Sequence, residues 1–137
     1  DNSSLEIGID RPKFFLELKK HFEDAGIKTW NHTDDRTYLD IPVGQSSWHI
    51  LVNLLDNNSR LSVGMYIKKK EKFRSLVQER QKYEVAIGYP LEWIEKDGEA
   101  GSRVRIVRDI NWQDAEERSS IQDWAVERAL EFKEVFK

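Results

Sequence analysis

The chain has 137 residues and no cysteine, which excludes disulfide frameworks and cysteine-ligated metal sites and fits a reducing, cytoplasmic setting. With 39% hydrophobic residues, among them five Trp, four Tyr and six Phe, it carries enough apolar mass for one independent core. The net charge of −3 makes no global case for a polyanionic partner, no apolar run is long enough to span a bilayer, and the first residues form no signal peptide.

Residues 1–9 read as a flexible tail, and residues 10–137 as a single α+β domain. No initiator Met stands at the start, so a segment upstream is expected. Sequons at Asn2, Asn31 and Asn57 have no secretory signal beside them and are read as chance. Asp10 is an N-cap, Pro12 fits a first helical turn, and Gly26 closes the helix. Phe14, Phe15, Leu18 and Phe22 recur between them at helical spacing. Residues 38–43 form a short extended segment that Pro42 assigns to an edge or a bulge.

Residues 46–56 and 60–67 then form a hairpin closed by Asp56-Asn57-Asn58-Ser59. The first of these strands is apolar on both faces, which predicts a central place; in the second, Leu61, Val63, Met65 and Ile67 share one face. One helix follows over about 70–87, with Phe73, Leu76, Val77, Tyr83 and Ile87 on its stripe and Gly88 as its stop. Two shorter strands, 90–95 and 102–108, flank a loop with Gly98 and Gly101. A last helix over about 120–136 takes its cap from Ser119 or Ser120. The order α-β-β-β-α-β-β-α predicts a largely antiparallel sheet of about five strands packed by three helices.

Catalytic signatures fail on spacing. The histidines, His21, His32 and His49, fall on a helix, a loop and a strand, so no zinc pair forms in sequence, and the Gly98–Gly101 loop lacks the Lys-Ser/Thr of a phosphate loop. The serines near Trp48 lack a strand-to-helix elbow. The Glu131-x-Lys133 pair shares a helix with Asp123, whereas Mg²⁺-dependent nucleases of the restriction type present their ligands from strands. No catalytic residue, metal ligand or cofactor is therefore assigned. A pocket uniting His49 with carboxylates would reopen a catalytic reading.

Charge is unevenly placed. Residues 68–82 hold seven basic and two acidic side chains, a local balance of +5 that leaves −8 for the remainder. Lys68, Lys69, Lys70 and Lys72 stand where a strand gives way to a helix, Arg74 follows, and Arg103 and Arg105 share one strand face. Such cations neutralise phosphates without reading sequence, and exposed amides at a helix start favour anions. The plainer account is a solvated helix face balancing acidic neighbours. Tyr38, Tyr66 and Trp48 would stack on bases if exposed, although aromatics at strand spacing are more often core.

The run LDIPVGQSSWHILVNL (39–54), RLSVGMYI (60–67), Tyr83-Glu84 to Ile87-Gly88, LEW (91–93), SRVRIVRD (102–109) and the closing Trp124–Phe136 helix occur in that order. Together, over roughly residues 11–137, they resemble an uncharacterised prokaryotic domain family known only as a domain of unknown function. That family sits at the C-terminal end of predicted nucleases of the PD-(D/E)XK, restriction-endonuclease-like type. The resemblance implies a non-catalytic accessory domain of a restriction or defence protein, with cleavage in a preceding domain; with the charge placement above, Lys68, Lys69, Lys70, Lys72, Arg74, Arg103 and Arg105 are then the expected phosphate contacts. The alternative is a protein-interaction module or homodimer, to which the aromatic content and the edge strand point.

Overall fold

The hairpin at the centre of the chain organises the rest. In the computed structural model, which describes residues 10–30, 37–97 and 101–136, β2 (Trp48–Leu55) and β3 (Arg60–Ile67) pair antiparallel over their full lengths. The four residues between them take the tight path their chemistry allows. Asp56, Asn57 and Asn58 all have positive φ (51°, 55° and 69°), a region that Asn and Asp enter most readily after Gly. The Ser59 hydroxyl donates to the Asp56 carbonyl at 2.7 Å and fixes the corner.

β1 (Tyr38–Pro42) adds antiparallel to the outer side of β2, where Pro42, which has no N–H, stands at the edge as expected. On the other side β5 (Ser102–Asp109) pairs with β3, and three-residue β4 (Glu92–Ile94) lies outside β5. The spatial order is β1-β2-β3-β5-β4, all antiparallel, so β2 is interior and β3 is the middle strand. The expected 90–95 strand is shorter than the spacing suggests, and the expected tail (1–9), the loop with His32 and the tip with Gly98 lie outside the described residues.

Alternation along the strands sends Leu39, Ile41, Ile50, Val52, Leu61, Val63, Met65, Ile67 and Val104 to one face, all buried. The helices cover that face. α1 (Arg11–Asp24) is capped by Asp10, whose carboxylate accepts from the Lys13 N–H at 3.0 Å, and it buries Phe14, Phe15, Leu18 and Phe22. Gly26 follows its end with φ 78°.

Two expectations about helices need correction. The segment 70–87 is two helices, α2 (Lys70–Gln78) and α3 (Arg80–Ile87), so the described residues form four helices where three were expected. The apolar stripe lapses at the point of division. A continuous helix would need an inward side chain near position 80, and Arg80 stands there exposed. Glu79 leaves helical geometry (φ −112°, ψ 21°) and its N–H bonds the Leu76 carbonyl at 3.0 Å, a tightened turn.

The last helix, α4 (Ala115–Val135), starts before Ser119 and Ser120, both of which lie inside it. Its cap is Asp114, which accepts from the Glu116 and Glu117 N–H groups. Two glutamates in the first turn favour the same start, and Glu117, three residues past the cap, accepts from the Asn111 N–H at 3.2 Å.

α4 ties the helical layer together. Arg118 donates to Glu17 on α1 at 3.1 Å and to the Trp112 carbonyl at 3.1 Å. Phe136, just past α4, stacks on Tyr83 of α3 at 4.7 Å and meets Trp48 of β2 edge-on at 6.1 Å. No helix among the described residues is long and apolar enough to cross a membrane.

Candidate nucleic-acid interface

The opposite face of the sheet carries no helix among the described residues. Its side chains are polar, aromatic and cationic: Asp40 on β1, His49 and Asn53 on β2, Tyr66 on β3, Arg103 and Arg105 on β5. Register places His49 opposite Tyr66, and Tyr66 opposite Arg103. The rings use that adjacency. His49 and Tyr66 stack at 5.1 Å, Trp30 packs on the far side of His49 at 4.7 Å, and the Arg103 guanidinium lies over Tyr66 at 5.6 Å.

Tyr66 is held against Gly101. Its hydroxyl accepts from the Gly101 N–H at 3.1 Å, and a side chain at Gly101 would collide with its ring. Gly64, next along the same face, is as tightly placed, since a Cβ there would lie 2.2 Å from the Val104 carbonyl oxygen. Glycine at these two positions lets β5 and its preceding loop close against β3.

The seven basic residues read as phosphate contacts fall into two groups. Lys68 and Lys69 leave β3 beyond the pairing of Ile67 with Ser102, next to that of Tyr66 with Arg103, so they share one end of the sheet with Arg103. Both are exposed. Arg103 is half-buried, and its Nε has no hydrogen-bond partner. Burial first, then the neighbouring Arg105 charge, lowers its proton affinity, the mark of a cation whose charge is not fully met locally.

The others have companions. Lys70 stands 3.8 Å from Asp97, and Arg74 holds Glu95 through two bonds of 2.9 and 3.0 Å. Arg105 donates to Glu92 at 3.0 Å, and the Lys72 ammonium lies 4.5 Å from the Trp48 ring centre. The forked hydrogen bond to Glu95 raises the Arg74 pKa, and the same bond lowers that of Glu95. For Lys70, Arg74 and Arg105 the balance of cation by carboxylate foreseen as the plainer account is present in the fold. Trp48 is buried in the core and presents no stacking surface, whereas Trp30, 40% exposed, does.

The residues of the rejected nuclease pattern lie together on α4, where Asp123 pairs with His21 at 2.9 Å and Glu131 accepts from the Tyr89 hydroxyl at 2.6 Å. Among the described residues no group of three His, Asp or Glu side chains is placed to hold a metal ion. His49 does meet a carboxylate, with its Nε2 2.8 Å from Asp40, and both side chains are nearly buried. Sequence reading missed this pair because it joins diagonal neighbours on two strands; only the β1–β2 register, with Asp40 opposite Leu51 and Pro42 opposite His49, brings them together. One imidazole nitrogen is committed to Asp40 and the ring is packed between Trp30 and Tyr66. That arrangement fixes a side chain in place and orders this face.

The model of one family, a domain of unknown function (DUF4268), matches residues 11–137, which is nearly the whole chain. No curated protein and no solved structure matches it.

Proposed function

We propose that this chain, which belongs to the DUF4268 family, is a non-catalytic accessory module of a nuclease-like restriction or defence protein and contributes nucleic-acid contact. The observation that carries the reading is the gathering, at one end of the sheet, of three cations that no carboxylate meets among the described residues, in a chain of net charge −3. Lys68 and Lys69 extend there into solvent beside Arg103, whose buried Nε has no partner. Phosphates would meet those three first. Lys70, Lys72, Arg74 and Arg105, each held by a carboxylate or an aromatic ring, strengthen the field around them without needing to leave their partners. Contacts of this kind position a strand without reading bases.

The reading predicts salt-sensitive binding of DNA by this domain at low ionic strength. Fluorescence polarisation of a labelled oligonucleotide tests it, with the wild type compared with the variant carrying Lys68→Glu, Lys69→Glu, Lys70→Glu and Lys72→Glu. Loss of binding in the variant is expected. Equal binding by both proteins, or none by either, removes the proposal.

A second reading, self-association, is favoured by the helix-free sheet face, where Leu51 and Leu55 remain partly exposed. Light scattering at high concentration separates the two, since the first reading needs no dimer.

A further inference from the structure

The aromatic row on the helix-free face has one free end, and it is Trp30. Among the described residues four large apolar side chains are exposed, Leu16, Trp30, Val85 and Leu130, and Trp30 is the aromatic one. A single exposed apolar side chain needs no explanation. Trp30 differs because it is held. Its backbone N–H donates to the Asp40 carbonyl at 3.1 Å, and its ring leans at 55° on His49, 4.7 Å away. His49 is fixed in turn by the Asp40 carboxylate at 2.8 Å and by Tyr66, which stacks on it at 26°. The Tyr66 ring is itself taken by His49 and the Arg103 guanidinium. What the row leaves to solvent is therefore the indole. It is already ordered, so little side-chain entropy is left to lose when a flat group lands on it.

Cations stand at the same end. Register sets Pro42, His49, Tyr66, Arg103 and Ile94 in one line across the sheet. Lys68 lies just past this line: its backbone N–H donates to the Ser47 carbonyl at 3.3 Å, two residues from His49, and Lys69 follows it. A recess of about 400 Å³, lined in part by Tyr38, His49, Tyr66 and Arg103, borders the row with open space. An exposed aromatic ring beside a track of cations suits unpaired nucleotides. The ring takes a base of any identity, and the cations take the phosphates next to it. A duplex cannot use the indole in this way without unstacking, because each base face inside it is covered by its neighbours.

We propose that this end of the sheet takes single-stranded nucleic acid, with one base stacked on Trp30 and the adjoining phosphates on Lys68, Lys69 and Arg103. The proposal rests on the reading above for the phosphate contacts and adds to it the strandedness of the partner.

Fluorescence polarisation with three labelled DNAs of one length tests it: a mixed-sequence single strand, the same strand paired with its complement, and a strand of abasic sites that keeps the phosphates and lacks the bases. The wild type should bind the single strand more tightly than the duplex, and about tenfold more tightly than the abasic strand, the scale of one base–aromatic stack. Trp30→Ala should bring the single strand down to the abasic level and leave the duplex and abasic affinities unchanged, whereas Trp30→Tyr should keep most of the difference. Far-ultraviolet circular dichroism checks that the variants fold, and the comparison of base-bearing with abasic strand needs only the wild type. Equal wild-type affinity for those two strands overturns the proposal, as does tighter binding of the duplex than of the single strand. Either result leaves the phosphate contacts standing so long as the four-lysine variant still loses binding, whereas no binding of any of the three DNAs removes both ideas.

Discussion

Glu84 shows how much one side chain can organise. It lies near the end of α3, and a single carboxylate oxygen accepts from the Leu91 N–H at 2.9 Å and from the Trp93 indole N–H at 3.1 Å. The turn out of α3 and the start of β4 are thereby fixed to one acceptor. The backbone bond to Leu91, and then the bond to Trp93, hold the Glu84 carboxyl below the ordinary carboxylate range. A folded-state pKa below the unfolded one means that the contribution is complete above the unfolded value of about 4.3 and disappears as pH falls through the folded value. Urea denaturation of the wild type and Glu84→Gln should therefore show a stability gap at pH 7 that narrows steadily as pH is lowered through the carboxylate range. A gap of constant size would mean that charge is not what the turn requires.

The seven basic residues show what a sequence can and cannot convey at this scale. Lys68 and Lys69 were legible as exposed cations because they sit between a finished strand and a starting helix. Arg74 looked equivalent but is bound to Glu95, twenty-one positions away on the approach to β5. Charge is written in the sequence, whereas its compensation is a matter of tertiary geometry.

At the scale of elements, the signals that are chemically local were the readable ones. The Asp56–Ser59 corner, the Asp10 cap and the Gly26 and Gly88 stops follow from side-chain and backbone preferences within a few residues, and each is where those preferences put it. The start of α4 was misplaced because Ser119 and Ser120 are good caps in isolation, but Asp114 with Glu116 and Glu117 behind it is a better one. Asp114→Ala should cost about 1 kcal/mol of stability, while Ser119→Ala, inside the helix and exposed, should cost close to nothing. Thermal melts of the two variants distinguish these starts. Equal losses in both would place the effective cap elsewhere.

The break at Glu79 was also visible in principle. Arg80 interrupts the apolar stripe of 70–87, and a stripe that lapses for a full turn gives a helix no reason to stay straight against a flat sheet. The layer and the antiparallel hairpin were readable from periodicity alone. The placing of β5 between β3 and β4 was not, because nothing local to residues 90–109 says that the later strand takes the inner position.

For the whole molecule, that strand order is what creates the two surfaces of interest. With β5 against β3, Arg103 comes beside Tyr66 and, through it, into the row that ends at His49 and Trp30. The same pairing sets Arg103 at the end of the sheet from which Lys68 and Lys69 depart. One face is closed by the helices around a core of phenylalanines and branched aliphatics, and the other presents cations and aromatic rings.

On the function proposed above, nucleic acid meets this chain at the cationic end of the sheet. Amide chemical-shift mapping during titration with a short DNA at low salt tests it most directly. Perturbations are expected to concentrate in residues 66–74 and 101–105 and to fade as salt is raised, with α1 and α4 silent along their exposed faces. Shifts confined to the helical layer, or none at saturating DNA, would contradict it.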